Sequence, residues 1–234
     1  YASYENGDDK DKVYLKAYGA DGSDLWEIQL NENVPEGEYF YVSSLFCDEN
    51  RQIILDSSRG IEIYDQQGIP VKMIEKVSAD ESRLIRIRDG KFAVTSSNGS
   101  SASIQPLDIQ SGMYGEKTTL PFNYYRYMIM SGTHYDMYLG DDYGIYGYNI
   151  GDAELTKVMD YISSDFSSTY LYQACFLDEN TFVAYYYNDE GVQLSKFVKV
   201  PAEDVVDKVE LTLGCYYLNQ DVKQKIVEFN KNSD

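Results

Sequence analysis

The sequence predicts an all-β fold: a β-propeller of about five blades, or part of a larger one, followed by a short C-terminal strand and helix. A polar turn leading into a β-rich stretch recurs, with anchor residues Gln52, Lys91, Asp136 and Thr181 spaced 39, 45 and 45 residues apart. Short strand-forming runs also alternate with polar turns as far as Val200. Repeats of roughly 40 to 50 residues with four strands each are typical of propeller blades.

Strand patterns assign most blades three or four short strands. The first blade shows only Val13–Tyr18 and Leu25–Leu30, so we expect it to be incomplete, with its missing part preceding Tyr1. The fifth blade has three predicted strands, and the pattern does not assign its fourth. The predicted strands of the other blades are, in order, 39–46, 52–55, 60–65 and 71–74; 84–88, 92–95, 102–108 and 117–120; 127–130, 137–140, 144–148 and 155–159; and 170–175, 182–186 and 193–200.

Turn and helix signals complete the predicted architecture. Asn219 to Asn232 has the apolar spacing of an amphipathic helix, with Asn219 as N-cap and Asp221 in the first turn. Because an incomplete propeller exposes a sheet edge, Lys208–Gly214 is predicted to pair with a strand of the first or last blade. Glycines are expected to supply the positive φ of four hairpin turns, at Gly22, Gly68, Gly112 and Gly191.

Composition bounds the function. The chain holds 39 Asp plus Glu against 20 Lys plus Arg, a formal net charge of −19. Such a surface repels phosphate backbones and anionic headgroups, which argues against nucleic-acid and direct membrane binding. No run of apolar residues is long enough to span a bilayer. Of the three cysteines, Cys47 and Cys175 precede equivalent turns of two blades, and we expect buried free thiols at Cys47, Cys175 and Cys215.

No catalytic, metal or cofactor motif is present. The single histidine, His134, lies in a predicted turn and is expected to be solvated. The chain contains no Gly-x-Ser-x-Gly, no glycine-rich phosphate loop and no Cys-x-x-Cys. The acidic turns Asp8–Asp11 and Asp141–Asp142 lack the spacing of a calcium loop, so we expect solvated turns. The sequence therefore predicts no catalytic residues, no metal ligands and no cofactor.

Aromatic residues provide the one candidate ligand site. The chain has 24 tyrosines, and we expect most of them to fill half-buried strand positions. Tyrosines that cluster in a loop are better candidates for ligand binding, because the loops of a propeller lie at the faces where ligands bind. The candidate ligand-binding residues are Tyr124, Tyr125, Arg126 and Tyr127, as a contact for a saccharide or a surface protein.

The C-terminal tail resembles the beginning of a family 1 extracellular solute-binding protein. In that family a strand such as Leu211–Gly214 leads through a loop to a helix that closes on a Phe-Asn-Lys motif, here Phe229–Lys231. The body resembles the propeller-like region that precedes such a domain in large lipoproteins of anaerobic Gram-positive gut bacteria. That second resemblance rests on Asp160–Phe166, Asp178–Tyr185 and the join at Lys208–Gly214.

The resemblance implies two domains, a propeller-like domain at 1–204 and the start of a solute-binding domain at 205–234. It also implies an extracellular, surface-anchored lipoprotein whose following domain contacts an ABC permease. Binding-cleft residues of the family cannot be assigned, because they would lie beyond Asp234. We expect a non-enzymatic binding module linked to carbohydrate uptake. Two alternatives stay open: a glycan-cleaving propeller with paired carboxylates, and a structural spacer.

Overall fold

The computed structural model describes residues 2–5, 12–35, 37–77, 81–98, 101–122, 128–164, 166, 170–188, 191–201, 213–214 and 218–232. Within these ranges the chain forms five consecutive antiparallel sheets and one α-helix. The predicted all-β class is confirmed: each sheet is one blade of a β-propeller. The chain divides into two compact units, the first comprising Tyr1–Arg86 and Gly90–Leu120, the second Ile87–Asp89 and Pro121–Asp234.

The first unit contains blades 1 to 3. Blade 1 has three described strands, blade 2 has four, and blade 3 has five, two of which share one edge of the sheet. The strands are β1 (Ala2–Glu5), β2 (Lys12–Tyr18) and β3 (Asp24–Gln29); β4 (Val42–Cys47), β5 (Ile53–Ser57), β6 (Gly60–Tyr64) and β7 (Pro70–Ile74); and β8 (Glu81–Arg86), β9 (Phe92–Ser97), β10 (Ala102–Asp108), β11 (Met113–Tyr114) and β12 (Thr118–Thr119).

The second unit contains blades 4 and 5 and the helix. Blade 4 has four described strands and blade 5 has three, paired in sequence order. The elements are β13 (Met128–Ser131), β14 (Met137–Gly140), β15 (Gly144–Tyr148) and β16 (Thr156–Asp160); β17 (Tyr170–Phe176), β18 (Thr181–Asn188) and β19 (Gly191–Val198); and α1 (Gln220–Asn232). No helix among the described residues is both long and apolar enough to cross a bilayer.

The core of each unit forms from side chains that point alternately to the two faces of each strand. In β5, Leu55 points into a cluster shared with Val13 and Leu15 of blade 1, whereas Ile54 joins Leu84 and other residues of blade 3. Successive strand residues face opposite sides of a sheet, so one strand serves two interfaces. In the second unit the corresponding cluster between blades 4 and 5 is rich in aromatic rings. Burying each such side chain contributes about 1.5–3 kcal/mol.

The predicted turn glycines are confirmed at all four positions. Gly22, Gly68, Gly112 and Gly191 have φ values of 82°, 80°, 78° and 101°. Gly68 meets a second constraint, because a Cβ there would lie 3.0 Å from the ring of Trp26. The Trp26 indole N–H donates a hydrogen bond to the carbonyl of Gln66 in the same turn, at 3.0 Å. This turn therefore holds blade 1 against blade 2.

The outer strand of blade 3 differs from the prediction. Residues 117–120 supply only the two-residue β12, and β11 pairs beside it along β10. Pro106 lies between the two paired stretches and has no N–H with which to continue a ladder. Its carbonyl instead accepts a hydrogen bond from the Gly115 N–H at 2.8 Å. The outer edge of blade 3 therefore consists of two short strands that pair with β10 on either side of Pro106, where the sequence predicted a single strand at 117–120.

The predicted helix and its cap are confirmed. Asn219 precedes α1, and its side-chain oxygen accepts a hydrogen bond from the Val222 N–H at 2.9 Å. Lys223 donates to the carbonyl of Asp142 at 2.9 Å, and its Nζ lies 4.2 Å from the ring centroid of Tyr143. Val227 is buried. The helix therefore packs within the second unit, beside the turn between β14 and β15.

The structure tests the predicted burial of two cysteines, but it describes only two residues of the predicted closing strand. Cys47 and Cys175 are free, as predicted, but their expected burial is wrong, because both are exposed. Cys47 is the last residue of β4, and Cys175 lies on a face of blade 5 that no described element covers. Cys215 lies outside the described residues, as does most of the predicted closing strand. Its two described residues, Leu213 and Gly214, are exposed and belong to no strand.

Buried tyrosines make the fold sensitive to alkaline pH. Burial raises the pKa of Tyr161 above the ordinary value for a tyrosine, and the charge of Asp141 raises it further. An unfolded tyrosine titrates near 10, so stability is full below about pH 10 and falls as pH rises toward the folded pKa. The loss approaches about 1.4 kcal/mol per pH unit for each such group. Burial shifts the pKa in the same direction for Tyr64, Tyr114 and Tyr148.

A Tyr161→Phe variant is expected to lose less stability between neutral and strongly alkaline pH than the unmodified chain. Among the described residues the Tyr161 hydroxyl has no hydrogen-bond partner, so the substitution should cost little at neutral pH. Urea unfolding at both pH values measures the difference. Tyr185→Phe, at an exposed position, serves as the control. Equal alkaline losses in the two variants would contradict this assignment.

Candidate functional site

An aromatic loop, Tyr39–Tyr41, comes directly before the first strand of blade 2. Tyr39 is 93% exposed and Tyr41 is 53% exposed, whereas Phe40 is half-buried. The loop backbone is fixed by Ser58, whose N–H donates to the Tyr41 carbonyl at 3.0 Å and whose hydroxyl donates to the Tyr39 carbonyl at 3.3 Å. Two exposed rings are thus presented on a backbone that needs little further ordering when a ligand binds.

An ion pair between the exposed Arg59 and the buried Glu62 supports the loop. The Arg59 guanidinium carbon lies 4.9 Å from the ring centroid of Phe40, a cation–π contact. The same guanidinium donates two hydrogen bonds to the carboxylate of Glu62, at 2.5 and 3.2 Å. Bidentate pairing fixes the guanidinium plane. Because Arg59 is held in this way, Phe40 packs on a rigid surface.

The carboxylate of Glu62 is fully engaged in this network. Only 4% of Glu62 is exposed, and it also accepts hydrogen bonds from the hydroxyls of Ser57 and Tyr64, at 2.5 and 2.7 Å. Burial raises the pKa of Tyr64, and the hydrogen bond to the Glu62 carboxylate raises it further. Glu62 therefore acts as a buried anchor with no free oxygen turned toward a ligand.

A third tyrosine completes the cluster. Tyr4 on β1 is 55% exposed, and its hydroxyl accepts a hydrogen bond from the Val42 N–H at 3.1 Å, next to Tyr41. We call Tyr4, Tyr39 and Tyr41 the aromatic site. Exposed tyrosine combines a flat apolar ring with a hydrogen-bonding hydroxyl, which suits a ligand that is partly apolar and partly polar.

The ligand site predicted from the sequence consists of different residues. Tyr124, Tyr125, Arg126 and Tyr127 fall outside the described residues and remain a prediction. Their described neighbour Phe122 packs its ring edge-on against Tyr148, with centroids 5.3 Å apart and planes at 87°.

Sequence reasoning missed the aromatic site because it placed Tyr39–Tyr41 inside the first strand of blade 2, which begins at Val42. One signal was available. A run of aromatic residues directly before the first strand of a blade occurs at Tyr39–Tyr41 and again at Tyr124–Tyr127, before Met128.

The other polar candidates serve turns. His134 is exposed, with its Nδ1 3.8 Å from the Glu179 carboxylate, as expected of a solvated loop residue. One Asp141 oxygen accepts the N–H groups of Tyr143 and Gly144, at 2.8 and 2.9 Å. Asp8–Asp11 lies outside the described residues. In the described part of the chain, no group of three or more His, Cys, Asp or Glu is placed to hold a metal ion.

Comparison with known proteins supports the fold class. No family model matches the chain, and neither does any curated protein sequence. Among solved structures, the Neurospora crassa Pan2 WD40 domain has 11% identity and a TM-score of 0.51, and the match covers 83% of this chain and 59% of that domain. The chain thus spans less than two thirds of the length of that domain. At this identity the likeness shows the β-propeller fold alone.

Two further structures are similar in the same limited sense. A protein of unknown function from Bacteroides caccae has 15% identity and a TM-score of 0.48, with 87% of this chain and 73% of that chain covered. A luciferin-regenerating enzyme has 10% identity and a TM-score of 0.49, with 85% and 76% covered. The fold itself defines the class: the described residues form five blades of a β-propeller.

Proposed function

We propose that this chain is a non-enzymatic, carbohydrate-binding module of an extracellular solute-binding lipoprotein that serves an ABC importer. The observation that carries the proposal is the aromatic site, in which Tyr39 and Tyr41 are exposed on a loop fixed by Ser58. Exposed aromatic rings on a rigid loop are an arrangement suited to ligand capture.

A neutral saccharide suits this surface better than a charged ligand. The formal net charge of −19 repels anions at long range, whereas a neutral sugar incurs no such repulsion. The C–H face of a sugar ring packs on an apolar tyrosine ring, and its hydroxyls exchange hydrogen bonds with the tyrosine hydroxyl. We therefore place a saccharide on Tyr39 and Tyr41, with Tyr4 beside them.

The cellular setting of the proposal comes from the resemblance of the tail to a solute-binding domain. On this view the protein is anchored at the cell surface, and a domain following Asp234 contacts the permease. The capped helix α1 supports the helical part of that resemblance, because Asn219 begins a helix that runs through Phe229–Lys231. A surface protein is the alternative partner of the aromatic site.

The enzyme alternative needs two carboxylates free to act on a glycosidic bond. The two carboxylates that are buried among the described residues of the first unit favour a structural role instead. Asp56 forms an ion pair with Lys76 at 2.6 Å, and Glu62 is held by Arg59. Both carboxylates are neutralised by fixed cations, the arrangement of structural rather than catalytic acids.

Substitution of Tyr39 and Tyr41 by alanine is expected to weaken saccharide binding by a factor of about five to a hundred, since each aromatic contact contributes about 0.5–1.5 kcal/mol. Thermal-shift screening of the chain against neutral oligosaccharides identifies a ligand, and titration calorimetry measures the affinity. Tyr187→Ala, at an exposed position on blade 5, is the matched control. Because Tyr39 and Tyr41 are exposed, the double variant should fold normally.

Three results would contradict the proposal. Equal loss of binding in the Tyr187→Ala control would remove the aromatic site as the ligand contact. Release of shorter saccharides during incubation would favour the glycan-cleaving alternative. Binding by a longer protein that includes the following domain, with none by this chain, would leave the propeller as a spacer.

A further inference from the structure

Two tyrosines lie side by side on one face of blade 5. Tyr172 on β17 is 51% exposed and Tyr185 on β18 is 44% exposed. Their ring centroids are 5.3 Å apart, and the ring planes are inclined at 35°. Exposed side chains change rotamer within nanoseconds, so the edges of the two rings can meet without any movement of the backbone. The pair therefore combines close approach with access from solvent.

A β-bulge brings these two rings together. β17 has one residue more than β18 between its pairs with Tyr186 and Tyr185, and that residue is Tyr172. With strict alternation, Tyr172 would point to the opposite face from Gln173, which lies opposite Tyr185. A bulge places two residues opposite one and redirects the side chain of the extra residue. Tyr172 and Gln173 are accordingly both exposed, and Tyr172 lies against Tyr185.

Access distinguishes this pair from a tyrosine contact in the core of the same unit. The ring centroids of Tyr135 and Tyr138 are 5.6 Å apart, but their planes meet at 79° and Tyr138 is 1% exposed. A phenol enclosed in a close-packed core does not meet an oxidant in solution, and its neighbours prevent the ring from turning. Tyr172 and Tyr185 are free of both restrictions.

We propose that Tyr172 and Tyr185 form an oxidative modification site, where a haem peroxidase with hydrogen peroxide joins the two rings as a dityrosine. Each phenol loses one electron and one proton and becomes a phenoxyl radical, whose unpaired electron is shared with the ring carbons ortho to the oxygen. The two radicals form one carbon–carbon bond between ortho carbons. The hydrogens on these carbons then move to the oxygens, which restores both phenols. Overall the protein loses two electrons and two protons, and one hydrogen peroxide is reduced to two waters.

Proximity favours coupling within this pair over coupling between molecules. Two groups held together in one molecule react at an effective concentration far above that of a dilute protein solution. The formal net charge of −19 also slows the encounter of two copies of the chain. The product joins β17 to β18 by a covalent bond. Such a cross-link constrains the unfolded chain and therefore stabilises the folded blade.

The test uses the full chain in dilute solution, with its thiols alkylated so that the exposed Cys175 cannot reduce the radicals. After treatment with a haem peroxidase and hydrogen peroxide, fluorescence reports dityrosine. A protease that cuts after glutamate then cleaves at Glu179, between the two tyrosines. We expect mass spectrometry to find the two fragments joined, with a mass two hydrogens below the sum of the free fragments. The yield per chain should not change with protein concentration.

Single substitutions assign the two partners. Tyr172→Phe and Tyr185→Phe should each abolish the joined fragments, because phenylalanine has no phenol to oxidise. Tyr187→Phe, at an exposed position on the same strand as Tyr185, is the matched control and should leave the yield unchanged. All three variants keep an aromatic ring at an exposed position, and urea unfolding before oxidation verifies their fold. After oxidation the unmodified chain should unfold at a higher urea concentration than Tyr172→Phe.

Four outcomes would overturn the proposal. Oxidation that yields no joined fragments would show that the pair does not couple. Joined fragments that persist in Tyr172→Phe or in Tyr185→Phe would assign the bond to other tyrosines. An equal loss in Tyr187→Phe would remove the specificity for this pair. Product found only as covalent dimers, with a yield that rises with concentration, would show coupling between molecules. None of these outcomes bears on saccharide binding, because the aromatic site belongs to the first unit.

Discussion

Replacing Asp56 by alanine is expected to destabilise the first unit by about 3–5 kcal/mol, because it breaks a buried ion pair from one side. Asp56 on β5 is fully buried. One carboxylate oxygen lies 2.6 Å from the Lys76 ammonium, and the other accepts a hydrogen bond from the Leu84 N–H on β8 at 2.9 Å. The variant leaves a largely buried cation and a buried N–H group without their partner. One side chain thus ties blade 2 to blade 3.

A double-mutant cycle tests this prediction. Asp56→Asn keeps an acceptor for the Leu84 N–H and should be destabilised less than Asp56→Ala. Adding Lys76→Met to Asp56→Ala removes the unpaired cation and should restore part of the lost stability. Urea unfolding measures the free energies, and hydrogen exchange in β8 and β9 shows whether the loss falls on the first unit. A loss below about 1 kcal/mol for Asp56→Ala would show that the pair is dispensable.

Substitution of Tyr138 by alanine is expected to cost the second unit about 3–5 kcal/mol, the range for large-to-small changes at buried aromatic positions. Tyr138 on β14 is 1% exposed. Its ring is stacked on Phe176 of blade 5, with centroids 3.6 Å apart and planes at 7°. Its hydroxyl lies 3.0 Å from the hydroxyl of Thr133. The variant therefore opens a cavity at the contact between blades 4 and 5.

Tyr138→Phe separates the ring from the hydroxyl. It keeps the stacking and loses only the hydrogen bond with Thr133, so its cost should be about 0.5–1.5 kcal/mol. The same urea titrations give both values, and hydrogen exchange in β14 and β17 localises the change. If Tyr138→Phe were as damaging as Tyr138→Ala, the hydroxyl rather than the stacked ring would carry the stability.

Much of the fold could be predicted because its signals are local. A glycine in a tight turn, such as Gly68, marks a hairpin wherever it occurs, and Asn219 marks a helix start by its own side chain. Errors arose where a strand depends on its neighbour. Pro106 lies on β10, but it interrupts the pairing of β10 with β11 and β12. The residue pattern of a single segment does not reveal such an effect on a neighbouring strand.

The exposure of the cysteines and the geometry of the aromatic site could not be predicted, because both depend on contacts between residues distant in sequence. Cys47 and Cys175 have the strand context of buried residues, yet both are exposed, and no element among the described residues covers them. The aromatic site requires Ser58 to hold Tyr39 and Tyr41, and Tyr4 to reach Val42, 38 residues away. The sequence shows the tyrosines, but their exposure follows only from these tertiary contacts.

The two exposed thiols offer one probe position in each unit. Cys47 belongs to the first unit and Cys175 to the second, so a thiol-reactive dye on either one reports the melting of its own unit. A Cys215→Ser background, with one further serine replacement, would leave a single labelled position. Fluorescence from the two singly labelled samples would give a separate denaturation curve for each unit. The effects of the Asp56 and Tyr138 substitutions on each unit could then be followed in two parallel titrations.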